Sequence, residues 1–292
     1  MTVDPFVTHR SLLFTVAYEM LGSAADAEDV VQETWLRWAD IGEAARAEVR
    51  SPRAYLVRIV TRQALNRLRT LARQREDYVG EWLPEPLLTS PDVAEDVELA
   101  ESVSMAMLTV LETLGPAERA VFVLREVFDV PYEEIAEAVG KSGAAVRQIA
   151  HRAREHVAAR RPRIQVSRTE QEEVVRRFLA ALTTGDVHGL MDVLAPDVVL
   201  VSDSGGLTPS VRHPVRSSTK VIALLSGFHR VAPDAQVTTL LLNGTVAARV
   251  DLAGDLNTAI TFVVEDNRIT HIYAIRNPNK LMRLDEVAEL RR

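Results

Sequence analysis

The chain has 292 residues, 47% of them hydrophobic, and a net charge of −7, a length and composition typical of about two globular domains. It contains no cysteine, which excludes disulfide bonds and thiolate chemistry. No apolar run is long enough to cross a bilayer, and the first residues, MTVDPFVTHR, contain no signal-peptide core, so we expect a cytoplasmic protein without a membrane partner.

The charge is distributed unevenly along the chain. The net charge is +2 over residues 1–75, −11 over residues 76–118, +3 over residues 119–163 and −1 over residues 164–292. Two basic blocks therefore flank an acidic connector, and a near-neutral domain follows. The basic blocks are the parts of the chain that we expect to bind a polyanion.

Two helices are predicted at the start of the chain, over His9–Leu21 and Asp26–Trp38. The first has an apolar core face of Leu12, Leu13, Val16 and Met20. The second buries Ala27, Val31, Trp35 and Trp38. Its opposite face carries a leucine among polar and acidic residues, which is typical of a protein-docking surface: Asp29, Gln32, Glu33 and Leu36. The alternative is a single exposed leucine without a partner, which is common.

A loop is predicted over Ile41–Pro52, followed by a helix over Arg53–Arg75 with seven arginines and no acidic residue. Ser51 and Pro52 supply a capping residue and a first-turn proline. The apolar face of this helix holds Val57, Val60, Ala64, Leu68 and Leu71. The opposite ridge holds Arg58, Arg62, Asn66, Arg69 and Arg73. Such a ridge favours nucleic-acid binding, because an ordinary solvated face usually alternates in sign.

Three prolines and no helical period predict an extended linker over Tyr78–Pro91. Its apolar residues indicate that it packs against another part of the protein: Trp82, Leu83, Leu87 and Leu88. A helix is predicted next, over Asp92–Leu114, with one apolar face formed by Val103, Met107 and Leu111.

Three helices of a helix-turn-helix pattern follow, over Ala117–Phe128, Pro131–Val139 and from Ser142 to about Ala158. Gly140 allows a left-handed cap between the second and third helices. The third helix buries Val146, Ile149, Ala150, Ala153 and Val157. Its outward face holds Arg147, Gln148, His151, Arg152 and Glu155. Arg and Gln can pair with base edges, and phosphate contacts are expected from Arg154, Arg160, Arg161 and Arg163. An ordinary helical hairpin is the alternative.

Residues 164–292 have a different character, with helices predicted first and strands afterwards. The helices are Thr169–Thr183, Gly185–Leu194 and Lys220–His229. The strands are Val198–Val201, Val237–Leu242, Val246–Leu252, Asn257–Val264 and Arg268–Ile275, and turns are expected at Asn243-Gly244 and Asp266-Asn267. Helices followed by an antiparallel meander predict an α+β domain with a curved sheet. The end of the chain is predicted to be charged and helix-like.

These segments resemble bacterial sigma factors. That family has a core-polymerase-binding helix similar to DAEDVVQETWLRW and a region similar to the arginine helix that melts and reads the −10 promoter element. It also has a −35-binding helix-turn-helix similar to GPAERAVFVLREVFDVPYEEIAEAVGKSGAAVRQIAHRARE. Because residues 9–158 contain only these two sigma domains, they resemble the extracytoplasmic function (ECF) sigma factors. A SnoaL-like domain of the nuclear transport factor 2-like cone fold is similar to LTTGDVHGLMDVLAPDVVLVSDSGG.

ECF factors with such an extension form a subgroup of the SigJ type, which carries three short motifs. A WLPEP linker motif matches Trp82–Pro86, and an NPDKL-like tail motif matches Asn277–Leu281 with Asn279 in place of Asp. A DGGGK-like loop matches Asp203–Leu207 and departs from the pattern at Ser204 and Leu207. The motifs imply a regulatory role for Trp82, Leu83, Pro84, Asp203, Asn277, Pro278 and Leu281.

The resemblance implies a multidomain fold of two all-α sigma domains, the second a helix-turn-helix, and an α+β cone. The expected divisions are region 2 over residues 1–76, an acidic linker over 77–101, region 4 over 102–163, the SnoaL-like domain over 164–281 and a tail over 282–292.

The implied function is promoter-specific transcription initiation with core RNA polymerase, regulated in cis by the SnoaL-like domain, with no cofactor, metal or catalytic residue. The β′ and β subunits and promoter DNA would be the partners. The residues implied to dock on β′ are Asp29, Gln32, Glu33 and Leu36. The −10 element would be handled by the loop Ile41–Pro52 and by Arg58, Arg62, Asn66 and Arg69, with Asn where relatives commonly have Asp at position 66. The −35 element would be read by Ser142, Arg147, Gln148, His151 and Arg152.

Two other functions are open at this point. A SnoaL-like enzyme would need two acid–base groups to converge inside the cone, from the candidates Asp203, His213, Asp251, His271 and Tyr273. Strand alternation places His271 and Tyr273 on the same face. A DNA-binding regulator with a small-molecule sensor is the second alternative, although a repressor needs no polymerase-binding face.

Overall fold

The computed structural model describes residues 4–161 and 167–292, without the side chains of residues 72–74, 76 and 256. The predicted domain boundary between residues 163 and 164 lies outside this part, as do Arg163 and the side chain of Arg73. No helix in the described part is long and apolar enough to span a membrane.

Four helices form the first domain: α1 (Pro5–Leu21), α2 (Ala24–Asp40), α3 (Gly42–Ala47) and α4 (Pro52–Glu76). The start of α4 follows from local capping, as predicted, since the Ser51 hydroxyl accepts from the Ala54 amide at 3.3 Å. The predicted core faces of α1 and α4 are buried, apart from a half-buried Leu71. The predicted loop over Ile41–Pro52 is wrong over α3, where Glu43 in the first turn and Arg46 in the last turn stabilise a short helix.

The linker is extended, as predicted, and contains only the short strand β1 (Leu88–Thr89). The single helix predicted over Asp92–Leu114 is wrong, because the chain forms α5 (Pro91–Glu95), α6 (Val97–Val103) and α7 (Met105–Leu111). The breaks lie at Asp96 and Ser104, whose extended backbone lets each side chain cap the next helix. Asp96 accepts from the Leu99 amide at 3.1 Å and Ser104 from the Met107 amide at 3.2 Å.

The second helical domain has the predicted helix-turn-helix. Helix α8 (Pro116–Phe122) continues as a π-helical turn over Val123–Val127, followed by α9 (Tyr132–Val139) and α10 (Gly143–Ala158). Gly140 ends α9 with φ 68°, and the Ser142 hydroxyl caps α10 by accepting from the Ala145 amide at 3.2 Å. All five residues predicted to face inward from α10 are buried.

The C-terminal domain is the predicted α+β unit. Its elements are α11 (Arg168–Thr184), α12 (Val187–Val193), β2 (Leu194–Asp203), β3 (Val215–Arg216), α13 (Ser218–Leu225), α14 (Phe228–Val231), β4 (Gln236–Leu242), β5 (Thr245–Leu252), β6 (Asp255–Glu265) and β7 (Arg268–Ile275). Strands β4 to β7 form the predicted antiparallel meander. Strand β2 joins it in parallel to β7.

The linker and the tail extend this sheet. Its strand order is β3-β2-β7-β6-β5-β4-β1-β8, where the tail contributes α15 (Pro278–Leu281) and β8 (Val287–Ala288). Strand β1 pairs with β4 on one side and with β8 on the other. The helix-like end predicted for the chain is therefore wrong after Leu281. Leu284 and Leu290 are buried there, and Leu290 packs into the core of the helical domains, so pairing and burial decide the conformation of this segment.

Candidate nucleic-acid interface and interdomain contacts

The predicted docking face of α2, formed by Asp29, Gln32, Glu33 and Leu36, lies at the surface. Leu36 is 59% exposed. Two of the other side chains contact α4: Arg67 is 3.2 Å from the Asp29 carboxylate, and Gln63 donates to Glu33 at 2.8 Å. The face is therefore held in place by α4 and presents an apolar side chain within a polar border, which suits a protein partner.

The prediction that α2 buries Ala27, Val31, Trp35 and Trp38 is wrong for Trp35. Trp38 is buried and donates its indole N–H to Asp4 at 3.0 Å, but Trp35 is 36% exposed and its ring lies 5.0 Å from that of Phe6. The start of α1 at Pro5, earlier than predicted, brings Phe6 to this position. Trp35 therefore borders the docking face and does not belong to the core.

The predicted cationic ridge of α4 does not face open solvent along its whole length. Arg58 pairs with the Glu137 carboxylate at 3.0 Å, and Arg62 donates to the Glu137 carbonyl at 2.7 Å. Further along, Arg69 donates to the Asn66 side chain at 3.0 Å, and both residues are exposed. The half of the ridge nearer the start of the helix thus contacts α9 of the helix-turn-helix domain, whereas Asn66 and Arg69 lie exposed beyond this contact.

The predicted outward face of α10 is exposed, at Arg147, Gln148, His151, Arg152 and Glu155. Two long ion pairs lie beside it, Arg147 with Glu133 at 3.8 Å and Arg152 with Glu118 at 3.9 Å, and the His151 ring lies 3.9 Å from the Glu155 carboxylate. Such exposed pairs are weak. Of the expected phosphate contacts, Arg154 and Arg161 pair with Glu126 and Glu101, and Arg160 donates to the His156 carbonyl at 3.4 Å.

A buried charge cluster joins the two helical domains. The Arg119 guanidinium on α8 is almost fully buried, donates to the Glu19 carbonyl at 2.9 Å and pairs with Glu112. Arg75 at the end of α4 also pairs with Glu112 and donates to the Leu21 carbonyl at 2.9 Å. Beside this cluster, burial raises the pKa of the Glu19 carboxyl to about 8, against the hydrogen bond from Ser102 and the charge of Arg119.

The linker is held to the C-terminal domain around Asp203, whose side chain is fully buried. Its carboxylate accepts from the Tyr78 hydroxyl at 2.6 Å and from the Leu83 amide at 2.9 Å, and it pairs with the Lys280 ammonium at 2.7 Å. Asn277 donates to the Tyr78 hydroxyl at 2.8 Å. We call this group of linker, sheet and tail residues the linker clasp: Tyr78, Trp82, Leu83, Asp203, Asn277 and Lys280.

The apolar part of the clasp is Trp82 with Leu83. Leu83 is buried against Leu281, Tyr273 and other residues of the sheet and tail. The Trp82 ring has the Arg75 guanidinium 3.7 Å and the Lys280 ammonium 4.0 Å from its centroid. Burial lowers the pKa of Lys280 to about 8, although Asp203 acts in the opposite direction. A β-carbon at Gly22 would lie 2.9 Å from the Trp82 ring, so glycine there permits the close approach.

A second contact joins three parts of the chain at the β4–β5 turn. Asn243, at φ 53°, exchanges hydrogen bonds with Leu87 of the linker at 2.9 and 3.0 Å. Its side-chain amide nitrogen donates to the Tyr18 hydroxyl at 2.7 Å and to the Val103 carbonyl at 2.8 Å. The Tyr18 hydroxyl donates in turn to the Glu85 carbonyl at 2.6 Å. The β4–β5 turn of the C-terminal sheet thus contacts the linker and both helical domains.

The sequence did not identify several of these residues as functional: Tyr78, Glu85, Asn243 and Lys280. Lys280 lies inside the NPDKL-like motif, so the motif itself pointed to it. Asn243 was expected only to make a turn, because its partners are distant in sequence. The motif residues Trp82, Leu83, Asp203, Asn277 and Leu281 are brought together as a group, with Pro84 buried in the linker and Pro278 at the first turn of α15.

The candidate acid–base groups do not converge in the cone. The main cavity of the C-terminal domain has a volume of about 500 Å³, and none of Asp203, His213, Asp251, His271 and Tyr273 lines it. His271 and Tyr273 share a face, as predicted, with ring centroids 6.0 Å apart. Burial lowers the pKa of His271 and raises that of Tyr273, which is the ordinary result for polar residues packed on a sheet.

Comparison with known proteins identifies two family models in the chain. The model for sigma-70 region 2 matches residues 6–74, and the model for sigma-70 region 4 matches residues 104–157. The chain is 38% identical to the ECF RNA polymerase sigma factor SigJ of Mycobacterium tuberculosis, over 96% of this chain and 93% of the relative. It is 30% identical to the probable ECF RNA polymerase sigma factor SigI of the same species, over 94% of this chain and 92% of that protein.

The architecture agrees with a solved structure over almost its full length. The crystal structure of Mycobacterium tuberculosis SigJ matches with a TM-score of 0.78 at 35% identity, covering 97% of this chain and 99% of the other.

Proposed function

The chain belongs to the ECF sigma factor family, and we propose that its SnoaL-like domain regulates the two sigma domains by holding the linker between them. Membership gives the basic activity: sigma factors bind core RNA polymerase and promoter DNA and direct promoter-specific transcription initiation. It also indicates a transcription regulator rather than an enzyme.

The residue roles follow from the exposed surfaces. The docking face of α2, which includes the exposed Leu36, would bind the β′ subunit. Arg147 and Gln148 of α10 would pair with −35 base edges, with Ser142, His151 and Arg152 beside them. The α4 ridge, from Arg58 to Arg69, would contact the −10 strand. These assignments rest on exposure, charge and position in the two sigma regions.

Two arginines of the proposed −10 surface make contacts with the second sigma domain in this arrangement. Arg58 and Arg62 are both engaged by Glu137 of α9, so the two sigma domains contact each other through a DNA-binding helix. A sigma factor must separate these domains to span two promoter elements. An open groove of about 280 Å³ lies between α4 and the second domain. The two helical domains otherwise share one continuous hydrophobic core, so their separation would expose part of that core to water. We therefore interpret this arrangement as the closed, inactive one.

The single observation that carries the proposal is the buried Asp203 carboxylate. It belongs to the sheet, yet three of its partners are Tyr78 and Leu83 of the linker and Lys280 of the tail. The linker cannot leave the sheet and the tail, and so cannot let the sigma domains separate, while these bonds and the burial of Leu83 persist. Burial of one leucine alone contributes about 2 kcal/mol, so the clasp can decide between a closed and an open form.

The test compares Asp203→Asn with Asp197→Asn, which changes an exposed carboxylate on the same strand. Promoter-dependent run-off transcription with core polymerase should rise for Asp203→Asn and stay unchanged for the control. Equal transcription from all three folded proteins would refute regulation through the clasp.

A further inference from the structure

The cavity of the SnoaL-like domain has the form of a ligand site, and none of the clasp residues lines it. It borders the clasp, because the amide of its lining residue Arg276 donates to the Asp203 carbonyl at 2.6 Å. It is about 500 Å³ in volume, within the range of small-molecule pockets. Its wall is largely apolar, with Leu225 and Phe228 from the helices and Leu200, Val250 and Ile260 from the sheet. A small molecule with an apolar body would gain by burying that body here.

One charged group lines this apolar wall. Among the described lining residues, Arg276 at the end of β7 is the only one with a charge. Its guanidinium donates to two neutral oxygens, the Pro209 carbonyl and the Asn257 side chain, and its Nε is buried without a partner. Arg249, on β5, shows the usual alternative, since it lies 2.9 Å from Asp251 and 2.6 Å from Asp285.

No carboxylate of the described chain lies within ion-pair distance of Arg276, and burial lowers the pKa of its guanidinium. A half-buried cation without a counter-ion is costly, and an anion that enters the cavity would relieve the cost. On the same wall the Ser210 hydroxyl donates to Ser202 at 2.6 Å, and the Ser202 hydroxyl donates to the Ala274 carbonyl at 3.3 Å. Ser210 would have to turn its one O–H away from Ser202 to donate to a second oxygen of that anion.

We propose that this cavity binds a monocarboxylic acid with a medium-sized apolar body, with its carboxylate on Arg276. A single cation matches a single negative charge, which disfavours phosphate esters and other dianions. The site contains no acid–base pair, so it would bind its ligand without converting it. The proposal is independent of regulation through the clasp.

The test measures binding to the full-length protein by isothermal titration calorimetry with three probes. Decanoate carries both features, decanol lacks the charge, and acetate lacks the apolar body. Decanoate should bind at least about tenfold more tightly than decanol, because a hydrogen bond to a charged group is worth about 1.5–3 kcal/mol. It should also bind at least about tenfold more tightly than acetate, because acetate buries almost no apolar surface in the cavity. Equal affinity for decanoate and decanol, or no binding of decanoate, would overturn the proposal.

Two variants, Arg276→Gln and Gly227→Trp, and one control, Arg268→Gln, locate the site. Arg276→Gln should reduce decanoate affinity to that of decanol, whereas Arg268→Gln, on the same strand but outside the cavity wall, should leave it unchanged. Gly227 lines the cavity and a β-carbon there would have open space around it. Gly227→Trp should therefore narrow the cavity and weaken binding of both decyl probes, without disturbing the fold. Undiminished decanoate binding by the folded Arg276→Gln and Gly227→Trp proteins would contradict this location.

Discussion

Replacing Asp203 by Asn tests the clasp with the smallest change in volume. The carboxylate accepts four hydrogen bonds, from the Tyr78 hydroxyl, the Leu83 amide, Lys280 and the Gly205 amide at 3.1 Å. An Asn amide nitrogen would oppose at least one of these donors and would leave the Lys280 ammonium without a counter-ion. The clasp should therefore open more readily in Asp203→Asn.

The magnitude follows from two opposing effects. Removing one partner of a buried ion pair costs about 3–5 kcal/mol. Lys280 can escape part of this cost by losing its proton, since its pKa is already lowered to about 8 by burial and would fall further without Asp203. We expect about 2–3 kcal/mol, a shift of roughly 30- to 150-fold in favour of the open form.

The direct assay is hydrogen exchange of the linker, measured by mass spectrometry on peptides covering residues 78–90. The Leu83 amide is buried and bonded to Asp203, so exchange in this segment should accelerate by about the same factor when exchange follows opening. Asp197→Asn is the control. Unchanged linker exchange in a folded Asp203→Asn protein would refute the reasoning, whatever happened to transcription.

Three further predictions concern the other surfaces. Arg147→Ala or Gln148→Ala should reduce −35 discrimination by about 1–3 kcal/mol, whereas Arg160→Ala should weaken all sequences alike and flatten the salt dependence; an unchanged base preference in Arg147→Ala would contradict the assignment of α10. Leu36→Asp with Glu33→Lys should impair binding to core polymerase in a pull-down without loss of helicity, and normal binding by the folded double variant would exclude this docking face. Because burial raises the pKa of Glu19 from 4.5 to about 8, the folded state holds a proton that the unfolded state releases. Urea stability should therefore fall by up to a few kcal/mol as the pH rises between these values. Glu19→Gln should flatten this decline of stability with pH, and Glu28→Gln should not. Because the lowered pKa of Lys280 makes stability rise with pH, the readout is the difference between the Glu19→Gln and Glu28→Gln proteins.

The tail contributes both to the clasp and to the core of the protein. A deletion from Asn277 would remove the clasp residues, but also strand β8 and the buried Leu284 and Leu290. Transcription should still change in such a deletion, yet the cause would be divided between the clasp and the core. Single substitutions at Asp203 or Tyr78 separate these effects.

Much of the fold could be predicted because it is encoded locally. Ser51 and Ser142 cap their own helices, Gly140 ends its helix in a left-handed conformation, and the apolar face of α4 repeats at helical spacing. The meander was predictable for the same reason, since the turn residues Asn243-Gly244 and Asp266-Asn267 join β4 to β5 and β6 to β7.

The errors arose where distant residues decide the structure. Strands β1 and β8 have two residues each and form only because Leu88 pairs with both Leu242 and Val287. The contact of Arg62 with Glu137 joins residues 75 positions apart, so the ridge of α4 looked fully solvent-facing in the sequence. Asp96 and Ser104 broke a predicted helix because their capping of the next turns outweighed continuity.

The central claim is that the free protein holds its sigma domains closed and must open to work. Two exposed positions, Thr70 on α4 and Ala144 on α10, can be changed to cysteine for spin labelling, since the chain has no cysteine of its own. Pulsed electron–electron double resonance should give one short distance between the two spin labels in the free protein, a longer distance with core polymerase and a mixture of the two in Asp203→Asn. The same distance in all three samples would contradict the account.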